Sequence, residues 1–362
     1  MQRSFSSMKS VITFLSVCLL ILACEQKESL LETSSRTLQL SGSVRFFPLM
    51  DDDLIRFSQV SVDPEKNIFV INEDKLFVFD WYGKLEYKIF LEDYFEWQDC
   101  YIDDLTWDDR RLLINCKKAQ RILVFDRSSG RHLNDIGVDF TITYFTLLKE
   151  FLVCFQPANP YVDQSYSYHL LLLDSNYRVQ HKILPFEQDQ EYVFEETIGP
   201  KNIHTNDGSF SFTNVFADSV IFLTADKIMQ KLKFNFPRSE IELREDGAEP
   251  LILGSDSYLF PLFFSYNEGW ESLIYLRGQD PYWAVRNRES NEWFKFSSIN
   301  YKDINFPPFA KIYGDYCVFM ISDEAAISTI PEEEAIYPFD KLINYESSLV
   351  IGIGRVSDIL DQ

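Results

Sequence analysis

The sequence predicts an all-β protein, a six-bladed β-propeller. Three observations carry that expectation. Helical periodicity is nearly absent after residue 38, and short runs of Val, Ile, Phe, Tyr and Leu recur between turn-like clusters. A strand that ends in aspartate also returns at Asp80, Asp126 and Asp174, at the ~40–50-residue spacing of repeated supersecondary units.

The first unit reads Gln59 to Val62, Ile68 to Ile71, Lys75 to Phe79 and Leu85 to Phe90, four strands separated by turn residues such as Asp63 to Asn67 and Asp80 to Lys84. The second follows as Asp104 to Trp107, Leu112 to Asn115 and Arg121 to Phe125, with Asp126 to Arg131 as its turn. The third copy is Leu170 to Leu173 followed by Asp174. A carboxylate suits this position because it accepts hydrogen bonds from turn amides, and a following Gly or Asn tolerates positive φ. These aspartates are therefore expected to be structural.

Four short strands cannot bury both faces alone. Set radially, each sheet is covered by its neighbours and only short edges remain. Phe210 to Val215, Val220 to Leu223, Lys227 to Phe236, Ser272 to Tyr275, Trp283 to Phe296, Tyr316 to Ile321 and Leu349 to Val356 continue the rhythm. The chain from Leu38 onward would hold nearly seven units at that spacing, but insertions in the third to fifth favour six blades, with seven as the alternative. Leu38 to Phe47 is expected to pair beside the terminal strands and close the ring.

The amino terminus reads as a lipoprotein signal peptide over residues 1–23, followed by a polar tether over 24–37 and the propeller over 38–362. Arg3 and Lys9 precede a short apolar stretch, Val11 to Leu22. A permanent bilayer-spanning helix needs about 20 residues, so removal as a secretory signal is the expectation. Ala23-Cys24 then resembles the bacterial lipobox, in which a small residue precedes a cysteine that receives diacylglycerol as a thioether. On that reading Cys24 joins the protein to the membrane through its acyl chains, in the cell envelope and at the outer membrane, facing the periplasm or the surface.

With the lipobox, the blade pattern from Val62 through Ile68 to Ile71, Phe79-Asp80 and Gly83-Lys84, and the segment Phe216 to Ile228, the chain resembles lipid-anchored six-bladed β-propeller proteins of Bacteroidota, which have TolB-like and NHL-like relatives. The usual Gly-Pro-Gly-Glu-like turn is replaced by Glu92 to Trp97. The resemblance implies fold and anchoring and carries no catalytic residues.

Chemistry leaves few local signatures. The chain carries 34 basic and 56 acidic side chains, a net charge of -22, which repels phosphate backbones and argues against nucleic acid as a partner. Cleavage before Cys24 would remove two basic residues and no acid. His132, His169, His181 and His204 lie far apart, with no second ligand at metal spacing, so no metal site and no cofactor are expected. Asp51 to Asp53, Asp103-Asp104, Asp108-Asp109 and Glu332 to Glu334 read as solvated loops. Cys100, Cys116, Cys154 and Cys317 could form disulfides in an oxidising compartment, though the last three sit in apolar runs that suit buried thiols.

Tyrosine-rich loops offer the best candidate binding surface. Tyr161, Tyr166 and Tyr168 lie between two strands of the third unit, and Trp270 ends a similar segment. Flat rings with a polar edge suit a protein, peptide or glycan partner. The expected function is therefore a binding or scaffold module without catalytic residues. The alternative is a lactonase-like propeller hydrolase with a divalent ion in its channel.

Overall fold

The computed structural model describes residues 34–40, 44–49, 59–63, 67–72, 74–94, 101–116, 119–156, 166–185, 203–206, 209–213, 219–224, 228–233, 240–242, 251–253, 259–277, 280–301, 304–306, 308, 310–321 and 349–360. Two strands come first, β1 (Ser35–Gln39) and β2 (Arg45–Leu49). Blade 1 is the antiparallel meander β3 (Gln59–Val62), β4 (Ile68–Asn72), β5 (Lys75–Phe79) and β6 (Leu85–Phe90). Blade 2 contains β7 (Asp104–Trp107), β8 (Arg111–Cys116), β9 (Arg121–Asp126) and β10 (His132–Gly137). Blade 3 contains β11 (Tyr144–Leu148), β12 (Phe151–Phe155), β13 (Tyr168–Leu173) and β14 (Val179–Pro185). Blade 4 contains β15 (Ile203–Asn206), β16 (Ser209–Thr213), β17 (Ser219–Leu223) and β18 (Ile228–Lys233).

A two-stranded hairpin, β19 (Glu240–Glu242) with β20 (Leu251–Leu253), precedes blade 5. That blade contains β21 (Leu259–Tyr266), β22 (Trp270–Arg277), β23 (Asp280–Asn287) and β24 (Trp293–Tyr301), with β25 (Ile304–Phe306) paired to β24. Blade 6 contains β26 (Ala310–Tyr313), β27 (Tyr316–Ile321) and β28 (Leu349–Arg355), and the short helix α1 (Val356–Leu360) follows. Its fourth strand is β2, which pairs antiparallel with β28, Arg45 opposite Ile353 and Leu49 opposite Leu349.

Six apolar clusters fill the six gaps between successive blades. Phe69, Leu105 and Phe125 join blades 1 and 2, while Leu113, Phe145 and Leu171 join 2 and 3. Phe155 and Phe210 join 3 and 4, and Val220 and Phe264 join 4 and 5. Trp283, Phe46 and Phe319 join 5 and 6, and Val60, Phe77 and Ile351 carry blade 6 back to blade 1. Six gaps that lead back to the start make a closed ring, so the seven-bladed alternative does not apply. The same geometry explains the apolar runs. In β4, Phe69 and Ile71 point to blade 2 while Ile68 and Val70 point to blade 6, so the two-residue strand period leaves no polar side.

The early strand differs from expectation. Only β2 closes the ring, whereas β1 pairs in parallel with β24 outside blade 5, Ser35 opposite Lys295 and Gln39 opposite Asn300. Ser41-Gly42-Ser43 interrupts the apolar run between them. β1 also begins inside the stretch read as tether.

The aspartate turns form as expected. Asp80 Oδ1 accepts the amides of Tyr82 and Lys84 at 2.8 and 2.9 Å, and Gly83 takes φ 79°. The Ser129 and Ser128 hydroxyls hold Asp126 below the usual carboxylate range, and the Arg178 amide does most to hold Asp174 low. Blade 5 uses Asn287 instead, which accepts the amides of Glu289 and Ser290.

Each blade starts with its channel strand. Turns joining strands one to two and three to four therefore share one face, termed the turn face. The channel strands begin at the opposite, entry face. No helix among the described residues is long and apolar enough to cross a membrane. Cys116 is disulfide-bonded, Cys154 and Cys317 are free and buried, and Cys100 lies outside the described residues.

Candidate functional site

The channel strand of each blade is an edge strand, with backbone groups that need partners. Side chains from the neighbouring blade supply several of them. Asp104, fully buried, accepts the Phe145 amide at 2.8 Å and the Gln59 side-chain amide at 3.3 Å, so one carboxylate spans blades 1, 2 and 3. Ser265 Oγ accepts the Ile312 amide at 3.3 Å, and the Tyr313 hydroxyl donates to the Val60 carbonyl at 3.2 Å, which ties blades 5, 6 and 1. The polar groups of these strands are thus engaged in holding the ring. Burial, then the nearby Asp104, pushes the Cys154 thiol above its ordinary value, so it stays protonated and is no nucleophile. Among the described residues, no three His, Cys, Asp or Glu side chains are grouped to hold a metal ion.

A different arrangement stands at the entry-face end of blade 3. Gln156 follows β12, is fully buried, and donates from Nε2 to the Tyr166 carbonyl at 2.6 Å. Among the described residues, neither its Oε1 nor the buried Thr143 Oγ1 has a hydrogen-bond partner. Tyr144 faces Phe155 across β11 and β12, so Thr143 and Gln156 are the next opposed pair. Two buried oxygens without partners carry a desolvation cost that a bound donor would relieve. Beside them the Tyr166 ring meets Phe140 edge-on at 5.8 Å. Lys182 Nζ sits 4.7 Å from the Tyr166 centroid and 5.9 Å from that of Tyr168. Half-buried rings capped by an exposed ammonium make an amphipathic platform.

Of the residues singled out in the sequence, Tyr166 and Tyr168 come together here. Tyr161 and Cys24 lie outside the described residues. Trp270 is 8% exposed and packs in the cluster between blades 5 and 6, its ring 6.3 Å from Phe294, so it presents little surface. Sequence reasoning did not pick out Gln156, Thr143 or Lys182. A glutamine closing the apolar run Phe151 to Phe155 was the available signal.

His169 lies next to this platform, with its backbone carbonyl on the Gln156 amide and its ring parallel to Phe155. Burial pushes its pKa down to about 4. An unfolded histidine titrates near 6.5, so between those values the unfolded chain binds more protons and stability falls as pH drops. The contribution is complete above about pH 6.5 and amounts to about 3 kcal/mol, lost by about pH 4. Urea midpoints of wild type and His169→Gln should therefore converge or cross as pH is lowered from 7.5 to 4.5. A constant difference would show that His169 stays solvated.

A family model described as a 6-bladed beta-propeller matches residues 30–311. The chain belongs to that family. Comparison with curated proteins finds no match. Among solved structures, a protein of Bacteroides fragilis described as exported is 13% identical, with 88% of this chain and 97% of that chain covered and a TM-score of 0.62. BamB from Moraxella catarrhalis is 8% identical over 75% of this chain and 70% of its own, with a TM-score of 0.41. A protein from Bacteroides caccae is 12% identical over 72% and 80%, with a TM-score of 0.40. At these identities the likeness extends to fold alone, and the family and the first of these structures agree on it.

Proposed function

We propose that the protein is an exported, lipid-anchored envelope protein whose propeller is a binding or scaffold module. Its partner is a glycan or peptide that presents hydroxyl or amide donors at the entry-face end of blade 3. The observation that carries this reading is Gln156, whose amide fixes the Tyr166 carbonyl while its oxygen has no partner among the described residues beside the tyrosine platform. Aromatic stacking supplies contact area at low entropy cost, and the unpartnered oxygens select for donors. Export is supported by the description of the Bacteroides fragilis structure and by the disulfide at Cys116, a bond that persists in oxidising compartments.

Retention of the purified protein on arrayed envelope glycans and peptides tests the binding role. Tyr166→Ala is expected to weaken binding of any retained probe about tenfold, equivalent to about 1.4 kcal/mol. Undiminished binding by a folded variant would remove the platform from the reading. Anchoring is tested separately. Cys24→Ala should move the protein from the membrane fraction to the soluble envelope fraction, and unchanged fractionation would refute lipidation there.

A further inference from the structure

We propose that the turn face rests against the anchoring bilayer and that the entry face, with the Tyr166 platform, looks away from it. The proposal rests on lipidation at Cys24. β1 is the first described strand after that cysteine. It runs parallel to β24, which itself leaves the turn over residues 287–292, and its register places Ser35 opposite Lys295 and Gln39 opposite Asn300. A chain arriving from Cys24 therefore joins blade 5 on the turn-face side and runs away from it.

Length favours the same arrangement. Eleven peptide steps separate Cys24 from Ser35, and they span at most about 40 Å fully extended. A strand of five or six residues is about 20 Å long, so bringing the entry face down would consume about half of that reach along the blade. Reaching the bilayer from the turn face needs no such detour.

Charge points the same way. The described turn residues of that face, 63, 67, 80–84, 108–111, 126–131, 149–150, 174–178, 224, 267–269, 287–292 and 313–316, hold eight basic and eleven acidic side chains. The whole chain holds 34 against 56, so the described part of this face is nearer to balance than the chain as a whole and is repelled less by anionic headgroups than the average surface.

The experiment uses the full lipidated chain in vesicles that carry an acceptor dye on anionic headgroups. A donor dye is placed at Tyr82→Cys on the turn face or at Tyr101→Cys, an exposed site before β7 at the entry face. Ser128→Cys serves as a second turn-face position. Energy transfer should be several-fold stronger from residues 82 and 128 than from residue 101. Equal transfer, or stronger transfer from residue 101, overturns the orientation while the anchor stands. Failure of the unlabelled protein to float with the vesicles overturns the anchor, and the orientation with it.

Discussion

Replacing Arg127 with methionine is expected to lower the free energy of unfolding by about 3–5 kcal/mol, because it strands a buried charge. Arg127 leaves β9 in blade 2 and reaches the first turn of blade 1, where its guanidinium meets Asp63 Oδ2 at 2.5 Å, with both side chains buried. The same guanidinium donates to the Asp108 carbonyl at 2.9 Å, and the Tyr87 hydroxyl of blade 1 donates to the Arg127 carbonyl at 2.5 Å. Asp63 also accepts the Asn67 amide and side chain. Loss of the guanidinium leaves this carboxylate desolvated and half-paired, whereas the double variant Asp63→Asn with Arg127→Met removes both charges and should recover much of the loss. The exposed Lys84–Glu86 pair at 3.4 Å is the control, worth under about 1 kcal/mol. Urea denaturation with an unchanged slope reads each difference. A cost for Arg127→Met no larger than that control would mean the pair does not hold blades 1 and 2 together.

That interaction was invisible in the sequence, and the reason is general. Asp63 and Arg127 are far apart along the chain, on different blades, and either one alone looks like an ordinary turn charge. What could be read was local. The strands of the first unit, Gln59 to Val62 through Leu85 to Phe90, are legible because both faces of the blade are buried and β4 becomes apolar from Ile68 to Ile71. The turn aspartates Asp80, Asp126 and Asp174 are legible because their partners lie in the same turn or just beyond it. Asn287 performs the same task in blade 5 but breaks the Asp pattern, so the repeat fades there although the geometry does not. The parallel addition of β1 was not legible, since its partner β24 lies four blades further along the chain. The candidate site divides the same way. Tyr166 and Tyr168 stand out by composition, while Lys182, Thr143 and Gln156 gain meaning only when β11, β12 and β14 bring them to the tyrosines.

Ring closure carries the second large expectation. Phe46 on β2 is 1% exposed, lies 4.6 Å from the Tyr301 ring, and fills the space that a Cβ at Gly352 would need, where such an atom would come within 2.7 Å of its ring. Phe46→Ala removes this side chain from the cluster between blades 5 and 6 and should cost about 3–5 kcal/mol. A chain that begins at residue 50 should suffer more. It loses Leu38, Leu40, Val44 and Phe46 from that cluster, and it leaves β28 with an unpaired edge in place of β2. A row of free amides and carbonyls on an apolar strand recruits other chains, so this shortened protein should elute as aggregates. A chain that begins at residue 34 retains both strands and should stay folded, in the same oligomeric state as the full chain, with an unchanged melting temperature. Monomeric, fully stable protein from the chain beginning at residue 50 would show that blade 6 stands on three strands alone. The propeller would then be held by its inter-blade clusters without need of the amino-terminal strand.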